Sequence, residues 1–103
     1  LMEITVTELK QKLDNNENVK VIDVREPYEY EEFNIGAELI PLGSIQAKIV
    51  DLEEYMEDEI VIHCRSGARS AAAQQFLLQN DFKNVKNLKG GMLAWIEAFG
   101  DGK

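Results

Sequence analysis

The chain has 103 residues, 45% of them hydrophobic, and a formal net charge of −8, a size and composition that suit one globular domain over residues 1–103. The acidic balance argues against nucleic acid and anionic membranes as partners. No apolar run approaches the roughly 18 residues of a membrane span, so we expect no transmembrane segment.

The first half of the chain alternates short apolar runs with helical spacing. Thr7 is a candidate helix N-cap, and Pro27 fits the first turn of another helix. In chain order we predict a strand over 4–6, a helix over 7–13, a strand over 19–24, a helix over 27–33, an extended piece over 39–41 and a helix over 45–55.

The second half continues the alternation and predicts the fold class. In chain order we predict a strand over 60–63, a helix over 70–79 with Asn80 as its left-handed terminus, a strand over 85–88 and a helix over 91–99 that Gly100 stops. Strands that alternate with helices indicate an α/β fold with a parallel-type sheet covered on both faces. Ligands of such sheets bind at the carboxyl ends of strands, where Cys64 and residues 23–25 are expected.

The single cysteine lies where a buried strand gives way to a short loop. Cys64 opens the segment Arg65-Ser66-Gly67-Ala68-Arg69-Ser70, and a helical stretch of small residues follows. Loop amides and a helix N-terminus direct partial positive charge at the sulfur, and the two arginines add full charges. Such surroundings lower a thiol pKa from about 8.5 to roughly 3.5–7.5. The pattern therefore predicts an ionised, reachable nucleophile beside an anion pocket, with Gly67 supplying a positive φ.

Cysteine usage and the distribution of charge suggest where the protein works and what it meets. One cysteine cannot form an internal disulfide and no signal peptide is visible, so we expect a reducing cytoplasm. Residues 63–91 carry five basic side chains and one acidic side chain in an otherwise acidic chain. This segment could attract a small anion or an acidic partner, or its lysines could simply be scattered over loops.

Four segments together resemble a single-domain rhodanese, in that family's order and spacing across nearly the whole chain. They are Asp23-Val24-Arg25-Glu26; Gly36-Ala37 with Ile40-Pro41-Leu42; Cys64-Arg65-Ser66-Gly67-Ala68-Arg69-Ser70; and Gly90-Gly91 with Trp95. One departure falls at residues 33–37, where the family usually has His-Ile-Pro-Gly-Ala and this chain has Phe-Asn-Ile-Gly-Ala. It bears on the shape of that loop and not on the chemistry.

The resemblance implies a three-layer fold with an about five-stranded, mostly parallel sheet. It implies a sulfurtransferase that carries sulfane sulfur as a persulfide on Cys64. The donor would be thiosulfate, a polysulfide or a persulfide, and the acceptor cyanide, a thiol or a sulfur-carrier protein. The backbone of residues 65–70 would surround the sulfur, while Arg65 and Arg69 would face the anionic donor or stabilise the loop. Neither a metal nor an organic cofactor is required.

Residues beside the expected site are assigned supporting roles. We expect Asp23 to orient the loop that Cys64 opens and Arg25 to pair with Glu26 or Glu29. His63 adjoins Cys64, but strand alternation turns neighbouring side chains to opposite faces, so a packed or partly exposed histidine is expected.

Other side chains are assigned to the core or to the surface. Met92, Leu93 and Trp95 fit the core stripe of a helix. The acidic runs 28–32 and 53–59 are expected to be solvated faces.

Two other functions fit such a fold. A phosphatase or arsenate reductase also uses a cysteine thiolate, but its Cys-x5-Arg loop is one residue longer than the spacing from Cys64 to Arg69. A non-catalytic binding module is the second alternative, although such modules commonly lack the cysteine.

Overall fold

Five parallel strands form one sheet at the centre of the protein, whose computed structural model describes residues 2–102. The spatial order is β1-β5-β4-β2-β3, and every pairing between neighbouring strands is parallel. The predicted α/β class and the five-stranded sheet are confirmed. In chain order the strands are β1 (Glu3–Ile4), β2 (Val19–Asp23), β3 (Glu38–Leu39), β4 (Glu59–His63) and β5 (Asn84–Leu88).

Helices connect the strands and cover the sheet. The α-helices are α1 (Val6–Asp14), α2 (Pro27–Glu32), α3 (Ala68–Gln79) and α4 (Gly91–Phe99), and two 3₁₀ helices span Leu42–Ser44 and Ile49–Tyr55. Among the described residues, none of these helices has the length and apolar content needed to cross a membrane.

The two faces of the sheet bury separate apolar clusters. Ile60 and Ile62 of β4 pack on one face with Leu77 of α3, while Val61 packs on the other face with Trp95 of α4. This alternation is the period of two that a strand imposes. It places Cys64 in the same cluster as Ile62.

The ends of two helices differ from the sequence prediction. The cap of α1 is Thr5 and not Thr7: its Oγ1 accepts the amide of Glu8 at 3.1 Å, and Glu8 Oε1 accepts the Thr5 amide at 2.9 Å. This reciprocal capping box satisfies two donors that a cap at Thr7 would leave free. At the end of α3, the left-handed residue is Asp81 (φ 71°), whereas Asn80 has φ −107°.

Three element boundaries also differ. The first strand ends at Ile4, because the helix cap already occupies Thr5. The helical segment predicted over 45–55 is a 3₁₀ helix that begins only at Ile49. Helix α3 begins at Ala68 and not at Ser70, so its first turn overlaps the segment that Cys64 opens.

An asparagine shapes the loop that departs from the rhodanese pattern. Asn34 Oδ1 accepts the Gly36 amide at 3.0 Å, and its Nδ2 donates to the Tyr30 carbonyl at 3.1 Å. Gly36 has φ +82°, a value that glycine adopts readily. An asparagine-centred turn therefore stands where the family usually places a histidine and a proline.

Helix α4 contributes both to the core and to the surface. Met92 and Trp95 are buried as predicted. Leu93 was expected in the same stripe, but it is 45% exposed, because the register of this short helix turns it toward the cleft described below. The core prediction is wrong for this residue.

The start of α4 is also bonded to the loop after β4. The amide of Met92 donates to the Cys64 carbonyl at 2.9 Å, and the amide of Leu93 donates to the Arg65 carbonyl at 3.0 Å. Gly91 has φ +56°, and a Cβ on it would lie 2.6 Å from both carbonyl oxygens. Only glycine lets the helix approach this closely.

We predict that Gly91→Ala destabilises the protein by about 2–4 kcal/mol, because the methyl group meets backbone atoms and the left-handed φ is strained. Urea unfolding measures the loss. The matched control is Gly43→Ala, since a Cβ at Gly43 meets nothing within 4 Å, and its cost should stay within about 1 kcal/mol. Equal costs at the two positions would contradict the close approach.

Candidate active site

The site is built around the sulfur of Cys64 in the segment from residue 64 to residue 70, which we call the Cys64 loop. The amide of Gly67 donates to Sγ at 3.1 Å, and the amide of Ser70, in the first turn of α3, donates at 3.4 Å. Gly67 has φ +123°, which turns its amide inward as the sequence predicted. The sulfur thus lies in a concave ring of backbone donors next to a helix N-terminus.

Two opposing effects act on the pKa of the Cys64 thiol. Burial raises the pKa, while hydrogen bonds from the Ser70 side chain and from the amides of Ser70, Gly67 and Ser66 lower it. The hydrogen bonds prevail, and the pKa lies below its ordinary value of 9.0. The predicted acidic thiol is supported, with the Ser70 hydroxyl and the backbone amides as its main causes, and the charge of Arg69 also attracts the thiolate.

The sulfur is covered more completely than expected. The sequence predicted a reachable thiol, but Cys64 is only 1% exposed. That expectation is wrong for the resting conformation, because Sγ packs with the cluster around Ile62 and lies beneath its own loop. The exposed residues of the Cys64 loop are Arg65, Ser66 and Ala68.

Asn87, at the end of β5, braces the Cys64 loop from below. The Ser70 hydroxyl lies 2.6 Å from Asn87 Oδ1, 3.1 Å from the Gly67 carbonyl and 3.4 Å from Cys64 Sγ. Asn87 Nδ2 donates to the Gly67 carbonyl at 3.1 Å. Sequence reasoning missed Asn87, although a polar residue beside Leu88 in a buried strand was a signal for it.

Arg69 is bonded to a carboxylate and not to the space around the sulfur. Its NH1 and NH2 donate to the two carboxylate oxygens of Glu29 at 2.7 and 2.9 Å. This bond corresponds to the second of the two roles predicted for Arg69, which is to stabilise the loop. It corrects the assignment of Glu29 to a solvated face, since the Arg69 guanidinium lowers the pKa of this part-buried carboxyl to about 2.

Arg25 and Asp23 form a buried pair at the end of β2. Nε and NH2 of Arg25 donate to the Asp23 carboxylate at 2.8–3.0 Å, and NH2 also donates to the Phe33 carbonyl at 2.8 Å. The prediction that Arg25 pairs with the carboxylate of Glu26 or Glu29 is therefore wrong, because Arg25 reaches only the backbone carbonyl of Glu29, at 3.4 Å. The side-chain hydrogen bonds of Asp23 all go to Arg25 and none reaches the Cys64 loop, so this pair orients α2 against the sheet.

His63 is packed, as expected. It is fully buried beside Asp23, with 3.7 Å between Nε2 and Oδ2, and neither ring nitrogen has a hydrogen-bond partner. Burial lowers its pKa, which favours the neutral ring. Across residues 2–102, no cluster of His, Cys, Asp or Glu is arranged to hold a metal ion.

A cleft of about 360 Å³ adjoins the Cys64 loop between α2 and α4. Arg65, the residue after the cysteine, forms part of its wall, and so does Glu29, the partner of Arg69. We call it the α2–α4 cleft. Arg65 is exposed and, among the described residues, makes no ion pair.

A cysteine ringed by amides at the carboxyl edge of a parallel sheet defines a class of α/β proteins that hold an anionic sulfur. The model of the rhodanese-like domain family matches residues 5–98, and the chain belongs to that family.

Relatives and solved structures agree with this assignment. The chain is 36% identical to a sulfurtransferase of Allochromatium vinosum, over 90% of this chain and 86% of that protein. It is 42% identical to YrkF of Bacillus subtilis, whose name describes a sulfur carrier protein, over 90% of this chain but only 50% of that relative. A rhodanese-related protein from Thermoplasma volcanium superposes with a TM-score of 0.85 at 31% identity, covering 96% of this chain and 94% of the other.

We predict that Ser70→Ala raises the pKa of Cys64, because the thiolate loses a hydroxyl donor while burial continues to disfavour its charge. The ultraviolet absorbance of the thiolate, followed against pH, measures the change. Ser66→Ala is the control, because Ser66 acts through its backbone amide, which alanine retains. A pKa that rises equally in both variants would contradict the role of the Ser70 hydroxyl.

We predict that Glu29→Gln costs about 1–2 kcal/mol of stability at neutral pH, since partial exposure of Arg69 screens the pair. The carboxyl has a pKa of about 2 in the folded protein against an ordinary 4.5, so its stabilisation is present above about pH 4.5 and is lost as the pH falls toward 2. Denaturant unfolding of both proteins across this range should show the difference shrinking with acid. The control is Glu32→Gln on the same helix, whose carboxylate is exposed, and a pH-independent difference would refute the assignment.

Proposed function

We propose that the protein is a sulfurtransferase that carries sulfane sulfur as a persulfide on Cys64. The observation that carries the proposal is the pair of amides, from Gly67 and Ser70, aimed at a buried sulfur. Donors placed in advance around a developing negative charge stabilise it without reorganisation. They suit both the thiolate and the terminal sulfur of a persulfide.

In the first half-reaction, the Cys64 thiolate attacks the outer sulfur of a donor such as thiosulfate. A bond forms between Sγ and the sulfane sulfur, the donor S–S bond breaks, and sulfite leaves with the electron pair. Covalent capture of this kind divides one transfer into two easier steps.

In the second half-reaction, an acceptor such as cyanide, a thiol or a sulfur-carrier protein attacks the outer sulfur. The new bond joins the acceptor to this sulfur, and the electrons of the broken S–S bond remain on Sγ as the thiolate. The Cys64 loop then holds the same anion with which the cycle began. No second cysteine takes part, which agrees with the single cysteine in the chain.

Access to the sulfur requires local movement, because Cys64 is 1% exposed at rest. We place this movement in the exposed side chains of Arg65 and Ser66. The bonds from α4 to the Cys64 and Arg65 carbonyls and from Asn87 to the Gly67 carbonyl hold the rest of the loop during this movement.

The two loop arginines have different parts in the proposal. Arg69 stabilises the loop through Glu29. Arg65 is exposed and free of ion pairs among the described residues, so it is the guanidinium that meets an anionic donor. The pairing of Arg69 also disfavours a phosphatase, which needs the arginine that closes such a loop to face the oxyanion. A non-catalytic binding module would not need donors aimed at a sulfur.

The remaining expectations fit this proposal. Both core clusters share one sheet, which supports a single domain for residues 1–103. A persulfide carrier needs a reduced thiol, and for that reason we propose the cytoplasm as its compartment. The partners are a small anionic sulfur donor and a thiol or sulfur-carrier protein as acceptor.

Intact mass spectrometry tests the proposal directly. After incubation with thiosulfate or polysulfide, we predict a mass gain of one sulfur atom that cyanide removes, and no gain in Cys64→Ser. A control variant must leave the fold intact, so His63→Gln is unsuitable, because His63 is fully buried. Ser66→Ala, at an exposed loop position, should load like the unmodified protein. Sulfur uptake by Cys64→Ser, or none by the unmodified protein with either donor, would refute the proposal.

A further inference from the structure

The α2–α4 cleft is more apolar than an inorganic sulfur compound requires. Two large hydrophobic side chains on its walls are exposed, Tyr28 at 67% and Leu93 at 45%. Exposed apolar groups in a concave site beside a reactive centre indicate a ligand with apolar surface. The apolar lining residues are Tyr28, Phe33, Met92, Leu93 and Ile96.

Two of the four charged side chains that line the cleft are paired. Of the two guanidiniums in its walls, Arg25 is bonded to Asp23, and of the two carboxylates, Glu29 is bonded to Arg69. Arg65 and Glu32 remain, and neither forms an ion pair among residues 2–102. The free cation, Arg65, suits one carboxylate on a ligand.

The cleft also has the size of a small-molecule site. Ligand pockets occupy about 300–1,000 Å³, and this cleft of about 360 Å³ lies near the lower limit. A dianion as small as thiosulfate would leave most of it empty. Arg65, which supplies the free positive charge of the cleft, directly follows the sulfur-bearing residue Cys64 in the chain.

From these observations we propose that the α2–α4 cleft seats the sulfur acceptor, and that this acceptor is a low-molecular-weight organic thiol with a single carboxylate beside its sulfur and an apolar tail. The carboxylate pairs with Arg65, and the tail packs on Leu93 and Ile96. The inference rests on the function proposed above.

The transfer follows from this placement. The acceptor, as its thiolate, attacks the outer sulfur of the Cys64 persulfide. A bond forms between the acceptor sulfur and the sulfane sulfur, and the bond to Sγ breaks and leaves its electron pair on Sγ. The products are an organic persulfide and the Cys64 thiolate, and no oxidant or reductant is needed.

The experiment uses two secondary thiols that differ only in the length of the alkyl tail, α-mercaptopropanoate and α-mercaptohexanoate, with cyanide as a reference that has no tail. Protein loaded with one sulfur on Cys64 is mixed with each acceptor, and loss of the sulfur is followed by mass. Burial of the longer tail should raise kcat/KM for α-mercaptohexanoate at least about tenfold over α-mercaptopropanoate.

Leu93→Asp should bring that ratio to within about twofold of unity, because the tail then loses its apolar partner. The matched control is Val50→Asp, since Val50 is 67% exposed in the 3₁₀ helix Ile49–Tyr55, which packs on the opposite face of the sheet. This variant should keep the full preference.

Two failures are distinguishable. Protein that never loads sulfur overturns the proposed function and this inference with it. Protein that loads and discharges to cyanide, but shows equal rates with the two thiols, overturns the inference alone. A parallel loss for all three acceptors in Leu93→Asp would also overturn it, because the cleft would then act only through the structure of the Cys64 loop.

Discussion

The arrangement of the site depends on one balance, between burial of the Cys64 sulfur and the hydrogen-bond donors that converge on it. Burial alone would keep the thiol protonated. The Ser70 hydroxyl and the amides of Gly67 and Ser70 reverse that preference, and the remaining contacts of the Cys64 loop keep these donors in place. The loop separates its polar groups accordingly. Its amides point in toward the sulfur, while the carbonyls of Cys64, Arg65 and Gly67 accept bonds from α4 and from Asn87. The amides in these bonds therefore stabilise the negative charge on the sulfur, and the carbonyls in them fix the loop to the rest of the protein.

The arginines affect the sulfur less than their positions in the sequence indicate. A chain that carries two arginines within six residues of a cysteine invites the interpretation that both supply positive charge to the site. In the structure, Glu29 pairs with Arg69 and Asp23 pairs with Arg25, which leaves Arg65 as the free guanidinium at the cleft among the described residues. The lowering of the Cys64 pKa comes mainly from hydrogen bonds at contact distance, to which the charge of Arg69 adds a smaller attraction. Backbone dipoles fixed in this way need no mobile counterion, and they remain in place when one anion on the sulfur replaces another.

Much of the fold was predictable because it rests on local patterns. Apolar runs and their spacing gave the order of strands and helices, and the residues around Cys64 gave the loop and its inward amides. What could not be predicted depends on contacts between distant segments. Glu29 lies forty positions from Arg69 in the chain, and Asn87 lies seventeen from Ser70, so neither pairing leaves a local signal. Leu93 is exposed because of where α4 meets the Cys64 loop. Cys64 is almost completely buried because it packs in the cluster around Ile62. Helix caps were missed for a different reason, since Thr5 and Thr7 are both good caps and only the reciprocal bond with Glu8 selects Thr5.

The central claim is that the amides of the Cys64 loop bear the negative charge of the sulfur. Amide proton resonances, followed through a pH titration, test it most directly. On ionisation of Cys64, the Gly67 and Ser70 resonances should move downfield together, with one shared midpoint below the ordinary thiol value of 9.0. The resonances should not move in Cys64→Ser. A midpoint at or above 9.0, or Gly67 and Ser70 amides that do not respond while the thiol ionises, would contradict the account.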